Sequence, residues 1–156
     1  MKHLFDAGEA DKFSALRKKY ITALVAFCVT LLALAVLAVV FWKTLGRAFA
    51  QTIATICTAA IGCVCIYVVQ IISLNAKKQK FVKQMTEKQP REISVKSLTV
   101  DKNTTTSGGL TFYPITADTD DGERLLYLFE GKTIDKSTTK LLVIDKYVCG
   151  YEAENE

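Results

Sequence analysis

Histidine appears once in this chain of 156 residues, at His3, far in sequence from any group of candidate nucleophiles, so no Ser, His, Asp set is legible. No C-x-x-C pair occurs, and Gly108–Gly109 is too short for a phosphate-cradling loop. Most telling is a lack of charge. The runs Tyr20–Trp42 and Phe49–Leu74 contain no Asp, Glu, Lys, Arg or His. That removes the usual mark of a proton relay or an ion pathway inside a membrane.

Each charge-free run exceeds the roughly 20 residues that cross a hydrocarbon core of about 30 Å. Neither carries the polar stripe of a helix packed on the core of a soluble protein. The first run follows Arg17, Lys18 and Lys19 as a secretory signal would, but it is longer than a signal core and ends in Phe41, Trp42 and Lys43 rather than at a small-residue cleavage site. The expectation is a two-helix transmembrane hairpin, with helices at 20–42 and 49–74. Lys12, Arg17, Lys18 and Lys19 precede it and Lys77, Lys78, Lys80 and Lys83 follow it, while the turn holds only Lys43 and Arg47. By the positive-inside rule both termini are cytoplasmic, in an integral protein of the plasma or inner membrane.

The net charge of +4 conceals an uneven distribution: residues 1–91 sum to +9 and residues 92–156 to −5. Basic charge therefore gathers beside the spans. Residues 1–19 read as an N-terminal amphipathic segment lying on the membrane surface, with Leu4, Phe5, Phe13 and Leu16 apolar. Residues 75–90 read as a basic juxtamembrane helix or linker, and Phe81 and Met85 share one of its faces, offering a place for the following domain to lean. Lys77, Lys78, Lys80 and Lys83 are the candidate anionic-lipid contacts.

Pro90 opens a different vocabulary, rich in Thr, Val, Ile, Leu and Tyr and cut by Gly and Asp turns. Residues 91–156 are expected to form a small antiparallel β-domain of four or five strands, as a curved sheet or small barrel. Strands fall at about 93–101, 110–117, 124–130 and 140–151, with Ile134 in a short fifth. Asp121–Gly122 suits a hairpin tip, and Gly150 marks a bulge or bend in the last strand. The fold class is thus an α+β membrane protein.

Three of the five cysteines lie in "CTAAIGCVC", from Cys57 to Cys65. On a helix Cys63 and Cys65 point about 200° apart, and Cys57 and Cys65 are separated by about 12 Å along the axis, so they do not share an ion. They read as small apolar side chains in a packing surface. Ala50, Ala54, Thr58 and Gly62 recur every four residues as a small-residue stripe, with Ala26, Thr30 and Ala33 as the matching face. The acidic set Asp118, Asp120, Asp121 and Glu123 is too short for a calcium-binding EF-hand loop and lies between strands rather than helices. No metal or cofactor is expected.

Nor is nucleic acid, because Phe112, Tyr113, Tyr127 and Phe129 lie in an acidic half and read as core. The functional expectation is a non-enzymatic membrane protein that anchors a cytoplasmic β-domain for protein–protein interaction or assembly. Its partners are membrane lipids and either another protein or a second copy. The alternative is a homo-oligomeric channel or an accessory subunit of a transport complex, with Thr52, Thr55 and Thr58 as a weakly polar lining.

Overall fold

The computed structural model describes residues 1–135 and 137–153, and for Ala7, Trp42 and Leu45 the backbone only. The elements run β1 (Lys2–His3), α1 (Ala7–Val40), α2 (Trp42–Leu45), α3 (Arg47–Glu87), β2 (Arg91–Ser94), β3 (Ser97–Val100), β4 (Thr105–Ser107), β5 (Leu110–Thr119), β6 (Gly122–Phe129), β7 (Thr138–Ile144) and β8 (Tyr147–Ala153). They divide into two compact units, Met1–Phe13 with Lys77–Glu156, and Ser14–Ala76.

The helical unit consists of the apolar stretches of α1 and α3. Both helices are long and apolar enough to cross a membrane, and only 6% of either apolar window is buried within the chain. Between α2 and α3 the chain turns at Gly46, whose φ of +83° is open to glycine at little cost. Over residues 20–40 of α1 the less exposed positions are Leu24, Cys28, Leu31, Ala35 and Ala38, and over 49–74 of α3 they are Ala50, Ile53, Ala54, Cys57, Ala60, Ile61, Val64, Cys65, Val68, Ile71 and Ile72. The α1 set alternates steps of four and three, and the broader α3 stripe contains the same alternation. An average period of 3.5 keeps one seam facing a partner helix, as in left-handed coiled pairs. The Cys28 and Cys65 sulfurs, 3.9 Å apart, mark the seam's contact.

The second unit is an eight-stranded mixed sheet rather than an antiparallel one of four or five strands. Its path is β2-β7-β8-β6-β5-β3, with β1 added to β8 and β4 to β5. The one parallel contact pairs Tyr127 of β6 with Tyr147 of β8. The sheet does not close into a barrel. Its edges β2 and β3 are nevertheless consecutive in sequence, and the chain crosses between them where Val95 N–H donates to Thr139 O and Lys96 N–H donates to Asp118 O, each at 2.8 Å.

Local chemistry explains the strand boundaries. The β5–β6 hairpin turns at Asp120–Asp121, Gly122 has φ +108°, and the Thr119 hydroxyl donates to Gly122 O at 2.7 Å. Pro114 falls where β5 changes partner, since β4 pairs up to Phe112 and β3 begins at Ile115. A residue without an N–H is tolerated at such a break. The expected single strand at 140–151 is two, β7 and β8, joined through Asp145 at φ +59°, the one non-glycine residue with positive φ among those described. Aspartate tolerates that region, so no glycine announces the turn. Gly150 stands at a register shift, as expected, since Leu142 pairs with Gly150 but Val143 with Val148, and it has a second role: a Cβ there would lie 2.8 Å from Lys2 O and 2.8 Å from Leu142 Cδ1, so its bare backbone admits the N-terminal strand.

Residues 1–13 and 77–87 group with the sheet, and Phe5, Phe81, Val82 and Met85 enter its core. One core cluster holds Phe5, Phe81, Val82, Met85, Leu110, Phe112, Phe129, Leu142, Ile144 and Cys149. A second, across the sheet, includes Val95, Ile115, Ala117, Leu126, Leu128, Leu141, Val143 and Val148. Phe81 is the hub of the first. Its ring centroid lies 5.8 Å from Phe5, 5.4 Å from Phe112, 5.2 Å from Phe129 and 5.2 Å from Tyr147. Truncation of such a ring costs about 3–5 kcal/mol. In chemical denaturation of the full chain, Phe81→Ala is expected to lower the stability of the sheet by that amount, while Lys83→Ala, exposed two residues on, changes it by less than about 0.5 kcal/mol. Equal small effects from both would show that the helix end is not a core element.

Candidate functional site

Two regions carry the residues singled out by sequence, the helix seam and the lysine-bearing end of α3. In the seam the stripe does not run as expected. Ala50 is buried and Ala54 half-buried, but Thr58 and Gly62 are exposed, as are Ala26, Thr30 and Ala33. A four-residue step overshoots one helical turn by about 40°, so three steps carry Gly62 about 120° round from Ala50. Within the chain a Cβ on Gly62 would meet nothing within 4 Å. Cys57, buried, takes the place the stripe assigned to Thr58.

The threonines of the spans are internally satisfied. Thr52, Thr55 and Thr58 donate to the carbonyls of Ala48, Gln51 and Ala54 at 2.9, 2.9 and 2.8 Å, and Thr30 donates to Ala26 O at 2.9 Å. Back-bonding of this kind lets a hydroxyl sit in an apolar helix without a partner elsewhere. An apolar cavity of about 380 Å³ lies near the turn, lined by Leu34, Leu37, Ala38, Phe41, Thr44, Ile53 and Cys57.

At the end of α3 the four lysines have different surroundings. Lys83 pairs with Glu87 of its own helix at 3.6 Å. Lys78 is half-buried, whereas Lys77 and Lys80 are exposed and line a groove of about 290 Å³ with Ser107, Gly108 and Asp145. Lys88 borders the same groove and bonds Asp145 at 3.0 Å. Sequence spacing finds the lysines but not this division, because the opposing wall comes from β4, β5 and the β7–β8 turn.

Other candidates are occupied by structural bonds. Asp120 pairs with Lys96 at 3.0 Å and Asp121 with Arg124 at 2.9 Å, so the acidic hairpin tip carries its own cations. Among the described residues no group of three His, Cys, Asp or Glu is placed to hold a metal. Phe112 and Phe129 are buried, and Lys146 stands 5.0 Å over the Tyr127 ring while Lys132 stands 5.2 Å over Phe5 and pairs with Glu9. Phe5 and its partner Lys132 were not legible as core from sequence, since a six-residue approach to a helix has no period to read.

Comparison with protein-family models, with curated proteins and with solved structures finds no match.

The five cysteines are free thiols. Burial pushes the Cys149 thiol up to about 11, and it donates to Leu142 O at 3.3 Å. At pH 8 it stays almost wholly protonated, so a maleimide is expected to label it only after denaturation; fast labelling of the native chain would contradict its place in the core. In the seam, oxidation with copper phenanthroline is expected to join Cys28 to Cys65 in a variant lacking the other three cysteines. A variant that keeps Cys28 and Cys63 instead should stay reduced. Disulfide formation only in the second would overturn the register.

Proposed function

We propose that this chain is a membrane-anchored interaction protein whose two apolar helices cross the bilayer and whose mixed β-unit binds a protein partner, or a second copy, on the cytoplasmic side. The observation that carries this reading is the outward display of large apolar side chains on the helices. Leu32 is 63% exposed, Ile66 65% and Tyr67 66%, and no other described residue covers them. Apolar surface on that scale is stable only when lipid or another protein occupies it. Lipid suits it because the runs are charge-free, bounded by lysines and of spanning length.

Two features of the β-unit support the interaction half of the proposal. Its sheet leaves β2 and β3 as edges of four residues each, and strand edges pair readily with another chain. Beside β3 lies an apolar groove of about 460 Å³ lined by Val100, Tyr113, Leu128 and Ile134 among others. The channel alternative draws no support from the threonines, whose hydroxyls are already bonded within their own helices.

The full chain is expected to resist alkaline extraction from membranes and to leave mild detergent as a particle larger than one copy with its detergent. A charge introduced at the groove edge, Val100→Asp, is expected to release the partner while leaving membrane insertion intact. A lone monomer under gentle conditions, or extraction by alkali, would contradict the proposal. Glycosylation at Asn103 after expression in a eukaryotic membrane would place the β-unit on the lumenal side and contradict the orientation.

A further inference from the structure

We propose that the groove at the end of α3 is a binding site for a phosphate-bearing anion. One wall is helical, with Lys77 and Lys80 one turn apart, and the opposite wall includes Ser107 at the end of β4 and Gly108 of the β4–β5 turn. The groove's volume is about 290 Å³, whereas a single water takes roughly 10–15 Å³ of such space, so a phosphate group with a substituent fits.

The charges do not cancel there. Lys88 is matched by Asp145 at 3.0 Å, but Lys77 and Lys80 form no salt bridge among the described residues. Two lysines therefore border a hollow whose other polar lining is Ser107, Gln84, Tyr147 and the Lys88–Asp145 pair, which leaves it a net positive charge. Together they supply donors and positive charge to an acceptor-rich anion.

Lys77 also lies against the glycine turn. Its ammonium lies so near the turn that a Cβ on Gly109 would stand 2.6 Å from the Nζ atom. Gly108 and Gly109 have φ of +61° and +80°, a region closed to most side chains, so the turn both needs glycine and is left bare where the lysine rests. Phe81, Leu110 and Phe112 form the apolar floor and exclude water from one side.

The source of the phosphate follows from spacing. Lys77 is three residues beyond Leu74, where the charge-free run ends, so under the membrane reading the site falls at headgroup depth and the anion is an acidic phospholipid. The anion site itself does not rest on that reading. Only the lipid source does.

The test titrates the full chain in neutral detergent with phosphatidylglycerol, with phosphatidylcholine and, separately, with inorganic phosphate, and reads bound species by native mass spectrometry. One phosphatidylglycerol per chain is expected in preference to phosphatidylcholine. The double variant Lys77→Gln/Lys80→Gln is expected to weaken it about 30-fold, the value of two near-surface cations. Lys83→Gln removes a lysine from the same run but outside the groove and is expected to change nothing. Saturable binding of inorganic phosphate, lost in the double variant, without preference for phosphatidylglycerol would keep the anion site and assign it a soluble ligand. Equal losses from Lys83→Gln and the double variant would reduce the effect to diffuse charge and overturn the site, as would no binding of either anion. Unchanged far-ultraviolet dichroism of the double variant excludes misfolding as the cause.

Discussion

The ring of Phe81 is a side chain of α3, yet its four aromatic neighbours come from the N-terminal segment and from β5, β6 and β8. Removing that contact would leave Phe5, Phe112, Phe129 and Tyr147 facing a gap that no other residue fills. A sheet with one face on Ile115, Leu141 and Val148 still needs cover for the other, because an antiparallel or mixed sheet of this size buries only what something packs against. The last turns of α3 provide that cover, with Met85 one turn further along the face of Phe81 and Val82 beside it.

Much of the rest follows from seating a helix there. The N-terminus must return to the same face, and it does so as β1 beside β8, admitted by the bare backbone of Gly150. Leu4 N–H then donates to Cys149 O at 2.8 Å, and Phe5 drops into the cluster next to Phe81. Lys132 closes that side by standing over Phe5 and pairing with Glu9. The lysine groove is a further consequence, since it exists only because the β4–β5 turn is brought against the helix that carries Lys77 and Lys80.

How much of this was legible depended on whether the signal was local. The two apolar helices were plain from absence of charge alone, and the Asp121–Gly122 hairpin from its turn chemistry. Phe81 and Met85, four apart among lysines, already suggested a docking face. The break at Asp145 was hidden because aspartate replaced the glycine that usually marks such a turn. Gly150 was legible as a bulge, but its contact with Lys2, and the place of Phe5, were not, since they arise from pairing β1 with β8. The small-residue stripe looks continuous in sequence, but a four-residue step drifts round the helix, so within one chain Ala50 is covered while Thr58 and Gly62 face outward. Lys77 and Lys80 were selected together with Lys78 and Lys83, and only the third dimension separates them.

The central claim is that the end of α3 is a core element of the β-unit and not a linker to it. Hydrogen exchange of the full chain in detergent tests this directly. The account predicts that amides of Phe81 to Met85 exchange as slowly as those of β5 and β6 and are released with them as denaturant is added. Exchange of that helical stretch orders of magnitude faster than β5, with the sheet intact, would contradict it.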